Sequence, residues 1–344
     1  MNRLQAISNL GVREVSPAKC TIIIVAYNCW DHIFRCLEAL KAQTVSGFRI
    51  VVVDNGEAIP TQLERVKSYQ NITYINSGSN LGFAAGNNCG LENVGSAEWV
   101  MLLNPDTVSA ADFLEKMLAA TVEFPNFSFF GARLLQAKNP ALLDGDGDCY
   151  HVSGLPWRSG MGLPAPQPSA RAREIFAPCA AAALYRSSAL REVGGFDEDF
   201  FCYVEDVDLG FRLRLAGHRC LTVTDAKVLH VGSATTVKRS PFYIYHGQRN
   251  LIWTYVKNMP GMLFWLFLPL HVALNIAGVL RYALVGEFRV VWRAKCDAIK
   301  ALPKMWQKRQ VIQKDRVASL CNILKILDKH IVPGNDRAIN SLWK

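Results

Sequence analysis

The feature that most constrains this chain is an alternation between residues 20 and 103: a short β-branched run, a polar turn, then apolar residues at helical spacing. Cys20 to Ala26 (C-T-I-I-I-V-A) ends at Tyr27-Asn28 and is followed by Ile33, Leu37 and Leu40. Phe48 to Val53 ends at Asp54-Asn55-Gly56 and is followed by Leu63, Val66 and Tyr69. Ile72 to Ile75 and Trp99 to Leu103 read as a third and a fourth strand, with a helix between them starting near Gly82. Short apolar runs of this kind are strands buried on both faces, and alternation with helices requires a largely parallel sheet covered on both sides. Ligands in such sheets sit beyond the carboxyl ends of the strands. Those ends carry Tyr27-Asn28, Asp54-Asn55, Asn80-Leu81-Gly82 and Asn104-Pro105-Asp106.

From about Gly131 the pattern changes to short strands and turns, with a Gly/Pro-rich segment, Gly154 to Pro168, expected to be a mobile loop. A helix containing Leu190 and Val193 stops at Gly194-Gly195, and a second runs from about Val207 to Ala216, capped by Gly217. Val223 to Val231 is expected to return to the sheet. At 50% hydrophobic and 19% charged over 344 residues, the chain holds enough apolar material for one large α/β domain and an appendage, which excludes a disordered protein.

The net charge of +9 is placed unevenly. Residues 286–344 hold 13 Lys and Arg against 5 Asp and Glu, an excess of 8, so the rest of the chain is nearly neutral. The adjacent run Met262 to Leu280 is almost purely apolar, which favours an anionic membrane over nucleic acid as the partner. Pro269, His271 and Asn275 interrupt that run, and a single crossing would carry the basic tail outside, against the positive-inside tendency. A kinked re-entrant or interfacial helix pair is therefore expected, with Arg289, Arg293, Lys295, Lys300, Lys304, Lys308 and Arg309 meeting headgroups; packing on protein, or on a second copy in a homo-oligomer, is the alternative. The ten cysteines show no C-x-x-C pair and read as reduced thiols. Met1 to Lys19 has no apolar core of the kind a secretory signal carries, so the expected location is the cytoplasmic face of the inner membrane.

The candidate chemistry lies in acids at strand and helix ends. Asp106 follows the buried run Val100 to Leu103, where a turn-forming Asp after Pro105 is an equal reading. Glu205-Asp206 stand at a helix start, where capping and the dipole favour one acid but explain less easily a run of three with Asp208. Asp208 and Arg212, spaced i,i+4, are expected to pair on the helix surface. His230 ends a strand and by itself is as consistent with a solvated imidazole as with a ligand.

Taken in order, V-A-Y-N (25–28), V-V-D-N (52–55), N-L-G-F-A-A-G-N-N (80–88), N-P-D (104–106), G-G-F-D-E-D-F-F-C-Y-V-E-D-V-D-L (194–209), R-L-R-L-A-G (212–217) and H-V-G-S (230–233) resemble the family 2 glycosyltransferases of the GT-A fold. Within them the chain is most similar to bacterial rhamnosyltransferases that extend lipid-linked surface polysaccharides. The resemblance implies a GT-A domain over residues 15–260 and a membrane-associating segment over 261–344. It places Tyr27, Asn28 and Asp54 around a pyrimidine nucleoside, with Asp54 accepting from a ring N3–H, and Asn80 and Gly82 along the ribose and diphosphate. Gly82 would allow close backbone approach, and the helix after it would offer N–H groups to phosphate. Asp106 matches the metal-binding acid of the family's D-x-D, with Asn104 where many members have the first Asp and His230 matching its histidine ligand for Mg²⁺ or Mn²⁺. Asp206 would be the general base of an inverting transfer and Glu205 its neighbour at the acceptor, the two being able to exchange roles. The implied donor is dTDP-L-rhamnose, or a UDP-hexose, and the implied acceptor a polyprenyl-diphosphate-linked saccharide.

Two further signals are discounted. Asp144-Gly145-Asp146-Gly147-Asp148 imitates the start of a calcium loop, but Cys149 and Leu155 stand where Gly and Glu are required, so a polar turn is expected. Gln248-Arg249-Asn250-Leu251-Ile252-Trp253 is similar to the Q-x-x-R-W of processive synthases, yet its spacing differs, so single-sugar transfer is expected. A nucleotide-binding regulatory protein would keep the strand-end loops but lose the acids, whereas Asp106, Asp206 and His230 are all present.

Overall fold

A computed structural model describes residues 19–69, 71–165, 172–232 and 240–330. The N-terminal segment through residue 18, the end of the Gly/Pro-rich segment at 166–168, Ser233 and the last residues from 331 lie outside the described residues. The expected alternation is present as β1 (Cys20–Ala26), α1 (Trp30–Lys41), β2 (Arg49–Asp54), α2 (Pro60–Lys67), β3 (Ile72–Asn76), α3 (Gly82–Leu91) and β4 (Trp99–Leu103). Then follow β5 (Thr107–Ser109), α4 (Phe113–Glu123), β6 (Phe129–Gln136), β7 (Asn139–Gly145), β8 (Asp148–Tyr150), β9 (Pro156–Arg158), β10 (Arg173–Ile175), β11 (Ala182–Arg186), α5 (Ser187–Glu192), α6 (Glu205–Leu215) and β12 (Cys220–His230). Five helices complete the described chain: α7 (Pro241–Asn258), α8 (Gly261–Leu284), α9 (Phe288–Lys300), α10 (Leu302–Lys314) and α11 (Leu320–Ile326).

The main sheet runs β10-β12-β6-β11-β4-β1-β2-β3. Its β3-β2-β1-β4 half is parallel, and β11 then runs antiparallel between β4 and β6. Register decides the site. Ala26 pairs opposite Asp54, which brings the β1 and β2 loops side by side, and β5 lies antiparallel on β12 with Thr107 opposite His230. One apolar core fills the face under α1 and α4, and a second lies between the sheet and α3, α5 and α6.

A third core joins Tyr150, Val152, Phe176 and Phe211 to Trp253, Tyr255, Phe264, Met305 and Ile323. The helices beyond residue 260 therefore share a hydrophobic interior with β8 and α6, although the boundary expected there does coincide with Pro260, the N-cap of α8. Four of the cations expected at headgroups are used inside the protein. Arg309 donates to the carbonyls of Val256 and Met259, Lys295 to Gln248 O and Asn275 Oδ1, and Lys304 and Lys308 pair with Asp199 and Asp197. Burial lowers the Lys295 ammonium to about 7.

The apolar run is one continuous helix, α8, with Pro269 inside it, and α9 follows after a turn at Gly286. Its polar interruptions face the protein: His271 Nδ1–H donates to Ser153 O (2.7 Å) and the ring stacks on Tyr255, while Asn275 bonds back to His271. Its apolar side chains face outward, from Met262, 77% exposed, through Trp265, Leu266, Leu270, Ile276 and Leu280 to Leu284. The segment expected to be a mobile loop is instead a hairpin through its described part: β9 pairs with β8, and Leu142 bridges to Pro164.

Candidate active site

Asp106 and His230 stand side by side, carboxylate Oδ1 to Nε2 3.5 Å apart. The β5–β12 ladder brings them together, and Val231 N–H donating to Asp106 O closes the loop. The other ring nitrogen, Nδ1, lies 2.7 Å from Asp144 Oδ2. Burial would lower the imidazole, but hydrogen bonds and charge from Asp106 and Asp144 outweigh it and raise it to about 9. Burial opposes ionisation of Asp106 as well, and His230 more than offsets it, so that carboxyl is lowered. A carboxylate on Nδ1 fixes the ring and leaves Nε2 directed at Asp106, the arrangement found behind histidine ligands of metals. Asn104 Oδ1, on the same loop, is buried with no hydrogen-bond partner among the described residues. Asp106 and His230 thus pair a hard carboxylate oxygen with an imidazole, donors of the kind divalent cations take, and Asn104 carries a further buried oxygen on the same loop.

The segment expected to be a polar turn proves to be buried structure. Asp144, Asp146 and Asp148 are each nearly inaccessible. Asp144 holds His230; Asp146 meets Arg133 and accepts from Thr222; Asp148 meets Arg158. The signal in the sequence was their period-two spacing, which puts three acids on one side of an extended segment. Arg158 reaches Asp144 (3.3 Å), Asp148 (3.4 Å) and Cys179 Sγ (2.6 Å). Asp148, Cys179 and Asp206 are close enough to hold a cation, but the Arg158 guanidinium already supplies the positive charge there. Burial and the charge of Asp206 raise the Asp148 carboxyl to about 7 against the opposing pull of Arg158.

Ten of the eleven residues of α6 are buried, and the exception is Asp206. Its carboxylate accepts from Val207 N–H (2.9 Å) and Ala180 N–H (3.3 Å) and sits beside the Asp148–Arg158 pair. Glu205 is buried, with Oε2 unpartnered among the described residues. Burial, then the charge of Asp206, hold its carboxyl well above the usual range. The loop feeding this pair is strained: Phe201, Tyr203 and the β-branched Val204 all adopt positive φ, between 65° and 69°. Asn250 Nδ2 donates to the carbonyls of Phe200, Cys202 and Tyr203, and Arg249 to those of Asp199 and Phe200. The discounted Q-R-N segment is therefore the clamp on the loop before Glu205-Asp206.

Three expectations need correcting. The Asp208–Arg212 pair forms, at 2.9 Å, but in the interior, where Asp208 also accepts from Lys257 and Asn258. Gly82 has φ +78°, and a Cβ there would meet Phe201, its oxygen at 2.6 Å and its ring at 2.7 Å, so the glycine makes room for protein. The first N–H groups of α3 are occupied: Gly82 donates to Asn80 Oδ1, and Phe83 and Ala84 donate to Phe201 O, which leaves none for a phosphate. Asp54, fully buried at the end of β2, accepts from Tyr74 OH (2.8 Å) and Gly56 N–H (2.9 Å), with Asn28 and the exposed Tyr27 beside it.

The family model described as "Glycosyl transferase family 2" matches residues 21–194. The chain belongs to that family. Among curated relatives, this family 2 enzyme is 28% identical over 239 residues to the N-acetylglucosaminyl-diphospho-decaprenol L-rhamnosyltransferase of Mycobacterium tuberculosis, covering 61% of this chain and 75% of the relative. It is 29% identical over 225 residues to the rhamnosyltransferase WbbL of Escherichia coli, covering 61% and 82%. Its fold is similar to that of GalNAc-T7 solved with UDP, GalNAc and Mn²⁺, with a TM-score of 0.57 and 13% identity over 70% of this chain and 48% of the other. The GT-A fold expected from the sequence is thus present, and the protein is a rhamnosyltransferase-like glycosyltransferase.

Proposed function

We propose that this family 2 glycosyltransferase moves one L-rhamnose at a time, with inversion, from dTDP-L-rhamnose to a polyprenyl-diphosphate-linked saccharide at the cytoplasmic face of the membrane. The observation that carries the reaction type is the division of labour on α6: Asp206 is its single unburied residue, while Glu205 beside it is buried. Asp206 takes the proton of the acceptor hydroxyl as its oxygen bonds to the anomeric carbon, and the bond from that carbon to the nucleotide diphosphate breaks with its electron pair leaving on the diphosphate. Glu205 is its neighbour at the acceptor, and its burial makes Asp206 the more accessible carboxylate of the two. Asp106, His230 and Asn104 would hold a Mg²⁺ or Mn²⁺ whose charge stabilises the leaving diphosphate.

The relatives named for rhamnosyl transfer support the donor, and the 2-stranded β8–β9 hairpin with Asp148 and Arg158 gives the sugar side of the site polar groups. Asp54, Asn28 and Tyr27 would receive the pyrimidine, Asp54 through oxygen lone pairs left over by Tyr74 and Gly56. Asn80 shapes the loop beside the ribose and Gly82 seats Phe201. The outward apolar face of α8 supports attachment to the membrane, its polar residues having turned inward. Purified protein given dTDP-L-rhamnose or UDP-hexoses with a lipid-linked acceptor should release dTDP only from the first, with the anomeric configuration of the product inverted by NMR. Release from UDP-hexoses alone would replace the donor, and retained configuration would overturn the single displacement.

A further inference from the structure

We infer that the cleft between the start of α7 and the start of α9 binds the diphosphate of a lipid-linked acceptor. This inference rests on the lipid-linked acceptor proposed above. The cleft, about 460 Å³, is lined by Pro241, Phe242 and Tyr245 on one helix and Arg289, Val290 and Arg293 on the other. Two guanidinium groups one helical turn apart repel each other, a cost the protein leaves largely uncompensated. Among the described residues Arg289 has no ion pair, and the ion pair of Arg293 is with Asp297, at 3.7 Å, an acid already shared with Tyr245 OH and Lys300; its guanidinium also lies 5.6 Å from the centre of the Tyr245 ring, on the wall of the cleft. Lys295, Lys304, Lys308 and Arg309, by contrast, are all engaged by the protein itself. Arginine forks one turn apart suit an anion with two linked charged groups.

What lies on either side of the cleft selects among such anions. On one side, Phe288 and Trp292 stack at 5.8 Å on the exterior of α9, about half exposed, and continue toward Leu280, Leu284 and Val285 on the outward face of α8. On the other, the ring of Phe242 packs 6.0 Å from Phe201 and 6.3 Å from Tyr203, on the strained loop that leads into Glu205 and Asp206. The order is apolar surface, paired cations, aromatic platform, carboxylate base. An amphiphile built as hydrocarbon tail, diphosphate and saccharide has the same order, whereas a free phosphate would use only the middle. The donor diphosphate belongs to the separate group of Asp106, His230 and Asn104 at the strand ends.

The test is flotation of the full chain with phosphatidylcholine vesicles carrying either polyprenyl diphosphate or phosphatidylglycerol at matched surface charge. The wild type should prefer the diphosphate vesicles, and Arg289→Gln with Arg293→Gln should weaken that binding about tenfold or more and abolish the preference, the loss expected from charge-assisted hydrogen bonds. Removing two exposed cations elsewhere, Lys314→Gln with Lys325→Gln, should leave the preference in place. A double arginine variant that keeps the preference overturns this site while leaving the lipid-linked acceptor standing, as does an equal loss in the lysine control. A wild type with no preference overturns the site and the diphosphate-linked acceptor together.

Discussion

Replacing Asp206 by Asn keeps the side chain's shape and removes its ability to take a proton. Asp206→Asn should lower kcat by about 10²-fold or more with donor affinity unchanged, whereas Glu205→Gln should be milder because Glu205 is buried and Asp206 is the accessible carboxylate. Steady-state kinetics with donor-binding calorimetry checks both; Asp206→Asn at more than about a tenth of wild-type kcat removes the general base from this position. Asp144 makes a second residue-scale case. It touches His230 rather than substrate, so Asp144→Asn should raise the Mn²⁺ concentration needed for half activity by about 10–100-fold and leave saturated kcat little changed. The position of Asp206 was legible at a helix start. That of Asp144 was not, because a comparison with one calcium loop asks about local coordination, while Asp144 acts across 86 positions of sequence.

At the scale of elements, the strained 201–204 loop depends on α7. Asn250→Ala removes three donated hydrogen bonds to a buried loop and should cost about 2–3 kcal/mol, with kcat falling more than donor affinity as Asp206 loses its aim. Urea denaturation alongside kinetics separates the two effects; unchanged kcat would make the clamp structural only. The pairing of α6 and α7 carries a pH signature. Burial disfavours the charges of Asp197 and Asp208, but Lys257 with Lys308 at the first, and Lys257 with Arg212 at the second, more than compensate, so both carboxyls lie below their unfolded values. Folded values below unfolded ones mean stability that is fully present above about pH 4 and lost as pH falls through the folded values. Acid should therefore release α7 and α10 before the sheet, which hydrogen exchange at pH 2–5 can resolve. Lys257→Met, which takes one cation from each buried acid and leaves Asp197 to Lys308 and Asp208 to Arg212, should weaken that acid step and cost about 3 kcal/mol at neutral pH.

For the whole molecule, the question is which surface meets the membrane. Truncation after residue 260 is a poor test, because it would strip Phe264, Met305 and Ile323 from a core shared with Tyr150 and Phe211. Substitution on the outward face of α8 is cleaner: Trp265→Glu with Leu266→Glu should detach the protein from anionic vesicles without lowering its melting temperature, since both side chains are largely exposed. High salt should weaken attachment only partly, as the apolar contribution is not screened. Retention of the double variant on vesicles would move the membrane surface elsewhere.

The sequence by itself determined the α/β alternation, because buried parallel strands must be short, apolar and β-branched, and it determined which loops crowd one edge, because chain direction fixes where each strand ends. It also marked Asp106 and His230 at strand ends and Asp206 at a helix start. Only the tertiary structure decided their company. The β5–β12 ladder joins Asp106 to His230, the β7 and β8 strands bring Asp144 and Asp148 underneath, and α7 pins the loop that aims Asp206. It likewise engaged Lys295, Lys304, Lys308 and Arg309 with Asp197, Asp199, Asn275 and backbone carbonyls, leaving Arg289 and Arg293 at the surface cleft. Local patterning reports which side of an element is apolar, whereas pairing between distant charges depends on register and docking, which no window of sequence contains.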